Sequence, residues 1–325
     1  MMTAPLLEVE DLRVVFPGSD RRRTLAVDGV SFSVERGKTL GIVGESGCGK
    51  SVTSLAIMGL LPKGGAEVSG RVSFEGRDLL REPDRVMRDL RGNRLAMIFQ
   101  EPMTSLNPVL PVGFQIAEAL VEHRGMGRRQ AQARALELME LVRIPSAAQR
   151  LDAYPHQFSG GMRQRVMIAI ALACSPKVLI ADEPTTALDV TIQAQVLALL
   201  ADLQVREGLA VLLITHNLGV VASVADRVMV MYGGDVVESA PVKAFFARPT
   251  HPYSEALLAA MPRVDRPSEA LAPIPGQVPT LPDMPSGCRY QSRCPLRIEK
   301  CAERPPLNPL PGAPEHRVRC WVRAP

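Results

Sequence analysis

The 325-residue sequence predicts an α/β fold: a sheet core with a phosphate-binding loop, a helical insertion, and a proline- and cysteine-rich C-terminal extension. Three observations predict it. Short β-branched or aliphatic runs alternate with helical stretches on both sides of a purely helical region. A glycine-rich segment fits G-x-x-x-x-G-K-[ST] between a strand and a helix. Beyond residue 235 the composition shifts, since 17 of the 28 prolines lie there. The expected division is a core over residues 1–100 and 158–235, a helical subdomain over 101–157, and an extension over 236–325.

The elements follow in order. Residues 7–15 alternate toward a strand, and residues 29–34 read as another that ends at the turn Arg36-Gly37-Lys38. Thr39-Leu40-Gly41-Ile42-Val43 is a short apolar strand, the glycine loop follows it, and Val52 to Met58 continues as an apolar helix start. Strands are expected at 71–74 and 95–99. Helices take over from 101 to 157, most clearly as amphipathic stretches at 115–122 and 128–142. Residues 177–181, 209–215 and 227–232 are aliphatic runs suited to buried strands. The proline density after 235 argues for an extended, turn-rich appendage rather than more sheet.

The loop consists of Gly44, Glu45, Ser46, Gly47, Cys48, Gly49, Lys50 and Ser51, followed by Val52. Its glycines let successive backbone N–H groups face an anion, and the following helix turns its positive end to the same point. That geometry suits a polyphosphate. Lys50 is placed to reach the β- and γ-phosphates, and the Ser51 hydroxyl to hold Mg²⁺.

Composition limits the other readings. With 46% apolar residues the chain can fill a core, and its longest apolar run, residues 166–174, is too short to span a bilayer. The start of the chain reaches Glu8, Glu10 and Asp11 without a secretory signal, which predicts a cytosolic location. A net charge of +4 gives little case for nucleic acid. The positive excess sits in the tail: residues 286–325 hold seven arginines and Lys300 against Glu299, Glu303 and Glu315.

Val178-Leu179-Ile180-Ala181-Asp182-Glu183 is an aliphatic run that ends in two acids. A buried strand that delivers carboxylates at its C-terminal end places them where α/β sheets bind ligands. Asp182 is suited to the Mg²⁺ shell and Glu183 to accepting a proton from an attacking water. Elsewhere the same pattern is a plain strand exit; downstream of a phosphate loop it points to chemistry. Ser159-Gly160-Gly161-Met162-Arg163-Gln164 combines a serine, two glycines and a helix start, the makings of a second anion site.

These residues together resemble the ATP-binding subunit of an ABC transporter, a P-loop NTPase with a RecA-like core. Ser159-Gly160-Gly161 resembles the signature LSGGQ, with Met162 where glutamine is usual and Gln164 two positions later. The resemblance implies an adenine-stacking role for Phe16, which by itself, as a lone Phe after a strand, reads more often as a core residue. It also implies that Gln100 touches Mg²⁺, that residues 186–188 with Asp189 contact a partner subunit, and that His216 meets the γ-phosphate. In the family, Ser159, Gly160, Gly161 and Met162 serve the nucleotide of the other subunit. The implied reaction is in-line attack of water on the γ-phosphate of ATP, with Glu183 orienting or deprotonating the water. The implied partners are a second ATPase chain, expected as a related chain in a heterodimer, two polytopic permease subunits, and an extracytoplasmic substrate-binding protein. The implied location is the cytoplasmic face of the membrane.

His251-Pro252-Tyr253, Leu257-Leu258 and Met261-Pro262 resemble the extension of dipeptide, oligopeptide and nickel importer subunits. Behind them stand Cys288, Cys294, Cys301 and Cys320, spaced C-x5-C-x6-C-x18-C. Such a concentration in a cysteine-poor chain favours metal ligation over disulfides. A [4Fe–4S] cluster, suggested by relatives with this extension, and a four-thiolate zinc site are the two candidates; zinc sites usually show closer C-x2–4-C pairs. The neighbouring arginines are expected to offset thiolate charge. Cys48 and Cys174 read as small buried side chains. Two rival functions remain: a nickel or other small-solute importer ATPase, and a soluble ABC ATPase of DNA repair. The second lacks a coiled-coil insertion and a basic stripe on the core.

Overall fold

The computed structural model describes residues 5–17, 23–100, 105–185, 189–261 and 273–324. The expected dimer-loop residues Thr186, Ala187 and Leu188, like Pro262, lie outside the described residues. Among the described residues twelve strands form: β1 Leu7–Pro17, β2 Arg23–Val34, β3 Thr39–Val43, β4 Glu67–Phe74, β5 Arg77–Asp78, β6 Leu95–Ile98, β7 Val178–Asp182, β8 Ala210–Ile214, β9 Arg227–Tyr232, β10 Asp235–Pro241, β11 Asn308–Leu310 and β12 Ala313–Val318. The chain divides into two compact units. One comprises residues 1–6, 34–38 and 81–213, the other 7–33, 39–80 and 214–325.

In the unit built mainly from 81–213, β6, β7 and β8 lie side by side in that order. β6 and β7 are parallel, with Leu95 opposite Val178 and Ile98 opposite Ala181, so their C-terminal ends open together. Every residue of β7 and β8 is buried, as expected of parallel strands covered on both faces. The expected helices are present with shifted ends. The first runs Val112–Arg124, beginning directly after Pro111 and closing at Gly125, whose φ of 61° is left-handed. The second runs Arg128–Leu141 and buries Ala131, Ala135, Leu138 and Met139 on one face. Both pack against the helix Gly160–Leu172.

The other unit departs from expectation twice. Residues 67–74 join no parallel core sheet: β4 pairs antiparallel with β1, in a separate sheet of order β2-β1-β4-β5. The half-buried alternation of β1 suits a sheet covered on one face. Where that pairing shifts register between Glu10 and Arg13, a Cβ on Gly70 would stand 2.5 Å from the Asp11 carbonyl, so only glycine fits.

The second departure is the tail, which does supply more sheet. β3 and β9 are parallel, β10 is antiparallel to β9, and β12 and β11 follow in the order β11-β12-β10-β9-β3. Proline tolerates this because of where it sits. Pro309 lies on the outermost strand, Pro241 ends β10, and Pro314 lies outside the short pairing of Glu238–Ser239 with Arg317–Val318. A core of Val43, Val221, Val230, Tyr232, Phe245, Tyr253 and Tyr290 binds this tail to β3 and β9, with Cys288 and Cys294 packed on its edge.

Within that core the helix Pro252–Ala259 is capped by His251, whose Nδ1 accepts the Tyr253 N–H at 3.1 Å. Acceptance requires a neutral ring. Burial depresses the His251 pKa from 6.5 to about 4, against the opposing pull of Glu238. The folded ring therefore resists protonation while the unfolded chain takes up a proton near 6.5. This contribution is intact above that pH and is lost as pH falls toward 4, by on the order of 2–3 kcal/mol. The melting temperature should drop across that window, and His251→Asn, which keeps a capping acceptor without titrating, should flatten the drop. An unchanged slope in that variant would assign the acid sensitivity elsewhere.

Candidate nucleotide-binding site

The glycine loop occupies the turn between β3 and the helix Lys50–Ile57, whose N-cap Gly49 has φ 98° and which has no side-chain cap. Two glycines are sterically required. A Cβ on Gly44 would stand 2.2 Å from the Met231 carbonyl oxygen, and one on Gly49 2.7 Å from that of Ala26. Gly47 is different: a Cβ there meets nothing within 4 Å, so the lip of the loop is open. Ser46 and Gly47 are exposed, whereas Cys48, Gly49 and Lys50 are buried and Ser51 and Val52 are half-buried. The Lys50 ammonium folds into its own loop, donating to the carbonyls of Gly44 at 2.8 Å and Glu45 at 2.9 Å. Burial raises the pKa of the Cys48 thiol, which makes it a loop filler.

Glu45 is held at every polar group. Its N–H donates to the Tyr253 hydroxyl at 2.9 Å, its carbonyl accepts from Lys50, and its carboxylate takes a two-pronged guanidinium from Arg293 at 2.7 and 3.2 Å. The Arg293 side chain is only 4% exposed. A second tail arginine, Arg289, donates to the carbonyl of Gly233 and to Asp28 at 2.8 Å, while the Gly234 N–H donates to the Cys48 carbonyl at 2.9 Å. Charge-assisted bonds of this kind contribute roughly 1.5–3 kcal/mol each. In the same unit Phe16 is half-buried near the end of β1. His216 is exposed just after β8, between Thr215, whose N–H donates to the Ile42 carbonyl at 3.1 Å, and Asn217, which caps the helix Leu218–Val224.

The other unit carries the acids. Asp182 ends β7 with 3% exposure, and Glu183 follows in the left-handed region at φ 50°. Such a backbone in a non-glycine residue costs on the order of 1 kcal/mol and is typical of functional positions. Gln100, exposed two residues beyond β6, donates from Nε2 to the Glu183 carboxylate at 3.4 Å. Buried Gln164, in the helix that Ser159 opens, donates to the Pro184 carbonyl at 2.8 Å and so anchors that helix to the exit of β7. The Ser159 hydroxyl accepts the Met162 N–H at 3.3 Å, and Gly160 is open to solvent, with nothing near an added Cβ. Asp189 caps the helix Val190–Glu207 through the Ile192 N–H at 2.9 Å. Both thus serve as helix caps.

The cysteines Cys288, Cys294, Cys301 and Cys320 are free thiols, and the Cys288 N–H donates to the Cys301 carbonyl at 2.9 Å. Burial, with added repulsion from the other three, pushes the Cys288 thiol up to about 12. Among the described residues no three His, Cys, Asp or Glu side chains form a group able to hold a metal ion. Four of the seven tail arginines are engaged with carboxylates instead of the expected thiolates: Arg289 with Asp28, Arg293 with half-buried Glu45, and Arg304 and Arg319 with Asp235.

Residues 27–186 match the ABC transporter family, and residues 237–301 match the oligopeptide/dipeptide transporter C-terminal region. A probable peptide ABC transporter ATP-binding protein of Sinorhizobium fredii is 55% identical over 97% of this chain and 94% of its own length. The dipeptide transport ATP-binding protein DppD of Escherichia coli is 53% identical over 94% of this chain and 93% of its own. The chain belongs to the dipeptide/oligopeptide subfamily of ABC transporter ATP-binding proteins. A dimeric ATP-binding cassette, solved in a post-hydrolysis state with ADP and phosphate, shares its fold at a TM-score of 0.66 and 27% identity, over 73% of this chain and 98% of that one.

In this ABC protein the support that Tyr253 and Arg293 give the phosphate loop has no local motif of its own. Their only signals were a tyrosine in the His251-Pro252-Tyr253 motif and an arginine beside a cysteine. For the loop itself, Gly44→Ala should weaken binding of a fluorescent ATP analogue by more than about tenfold, since the Met231 backbone cannot yield to the methyl. Wild-type affinity would show that the loop opens around it.

Proposed function

We propose that this chain binds and hydrolyses ATP to drive import of di- and oligopeptides across the cytoplasmic membrane. It would act as one of a pair of ATPase subunits, on two permease subunits supplied by an extracytoplasmic binding protein. The observation that most supports the reading is the combination, in one chain, of the ABC transporter match over 27–186 and the oligopeptide/dipeptide match over 237–301. No described helix is long and apolar enough to cross a membrane.

In this reading Lys50 exchanges the carbonyls of Gly44 and Glu45 for phosphate oxygens, and the N–H groups of residues 47–52 take the rest of the anion. Phe16 stacks on adenine. Ser51, Asp182 and Gln100 offer a hydroxyl, a carboxylate and an amide oxygen, the hard oxygen donors that Mg²⁺ takes. Bound Mg²⁺ would neutralise charge on the phosphate oxygens. Glu183, steadied by Gln100, accepts or orients the proton of the attacking water, and His216 meets the γ-phosphate. Ser159, Gly160, Gly161 and Met162 contact the partner's nucleotide, and Asp189 lies at the dimer contact.

For the four cysteines we favour a [4Fe–4S] cluster that staples the tail. Structural zinc sites usually bring closer C-x2–4-C pairs than the C-x5-C-x6-C-x18-C spacing offers. A cluster interposes several iron and sulfide atoms and so takes thiolates held more widely. Burial raises the pKa of Cys288 and Cys294, so a metal must supply the positive charge that keeps these two thiols deprotonated.

Two outcomes are expected. Glu183→Gln should keep ATP binding, lower kcat by about 10²–10⁴-fold, accumulate as a closed dimer in ATP, and stop labelled dipeptide uptake in cells that depend on this chain. Continued uptake would remove the function. Anaerobically purified protein should contain about four iron and four sulfide per chain. Zinc alone, or no metal, would remove the cluster.

A further inference from the structure

The segment 288–294 carries two of the four cysteines and, between them, Arg289 and Arg293. All five N–H donors of the Arg293 guanidinium have an acceptor. Nε donates to the Pro275 carbonyl at 2.9 Å, Nη1 to Glu45 and the Tyr232 hydroxyl, and Nη2 to Glu45 and the Ile274 carbonyl at 3.4 Å. The guanidinium also stacks over the rings of Tyr232 and Tyr290 at 5.8 and 5.9 Å. A lysine could satisfy neither the fork nor the stack.

The acceptor at the centre of this arrangement is peculiar. Glu45 is the second residue of the glycine loop, so its carboxylate lies in a segment built to receive a polyanion. Unneutralised, it would repel phosphate. It would also compete for the Lys50 ammonium, which already bonds its carbonyl. We propose that Arg293 is a positioning residue for the phosphate loop, and that the cysteine-bearing segment which carries it thereby sets nucleotide affinity. The inference rests on the loop being the ATP site. Arg293 and Tyr253 fix Glu45 from the tail side, so the loop keeps its anion-facing shape and Lys50 stays available to phosphate only while the tail is folded.

The test uses the full chain, with equilibrium binding of a fluorescent ATP analogue and steady-state ATP hydrolysis. Arg293→Gln should raise Kd and the KM for ATP roughly tenfold or more, with kcat within about twofold. Removing both charges, in Glu45→Gln with Arg293→Gln, should return Kd to within about threefold of wild type, because the uncompensated carboxylate is gone. Cys294→Ser should raise Kd in the same direction and lose that effect in the Glu45→Gln background. Wild-type affinity in Arg293→Gln, a double variant as weak as the single one, or an unchanged Cys294→Ser each overturns the proposal. Should Arg293→Gln fail to fold, Tyr253→Phe removes only the hydroxyl that accepts the Glu45 N–H. It should raise Kd several-fold, and wild-type affinity there overturns the proposal equally. A wild-type chain that binds no ATP would instead defeat the nucleotide reading itself.

Discussion

Glu45 places a carboxylate inside a loop designed by its glycines to receive negative charge, and much of one unit is arranged around neutralising it. The neutralising group comes from 248 residues downstream, on a side chain almost excluded from water. Burying a guanidinium is costly unless its charge and donors are satisfied, and here all five are. Tyr232 packs edge to face on Tyr253 and on Tyr290, which meet each other at a tilt, with ring centroids 4.8 to 5.3 Å apart, and the three supply the apolar wall against which the pair is held. The tail is therefore part of the phosphate loop's foundation.

Local signals in the sequence explain most of what could be read in advance. β7 and β8 are aliphatic because both their faces are covered, and an uninterrupted aliphatic run is visible without any partner. The loop was legible because two of its glycines, Gly44 and Gly49, answer to backbone contacts within 2.7 Å, at positions where no other residue fits. Ser159 was legible as the residue that opens a helix, whereas the capping role of Asp189 was not read from the sequence.

What escaped the sequence was pairing between distant segments. The sheet of β1, β2, β4 and β5 joins strands some sixty residues apart, and alternation in β4 alone does not say which strand completes it. The strands of the tail were hidden by their prolines, which sit at edges and ends where the ladder loses no donor. Glu45 stands at a position of the loop pattern where any residue is allowed, so nothing local marked it as the partner of Arg293. The tail arginines stand beside the thiolates in sequence, but Arg289, Arg293 and Arg304 pair with Asp28, Glu45 and Asp235, carboxylates that are distant in sequence.

If loop and tail form one body, their backbone amides should open together. Native-state hydrogen exchange resolves this directly, by following the Glu45 N–H, bonded to Tyr253, beside the N–H groups of Cys288 and Arg293, bonded to Cys301 and Tyr290. The account predicts one shared opening free energy for the three. A Glu45 amide that exchanges freely while Cys288 and Arg293 stay protected would contradict it.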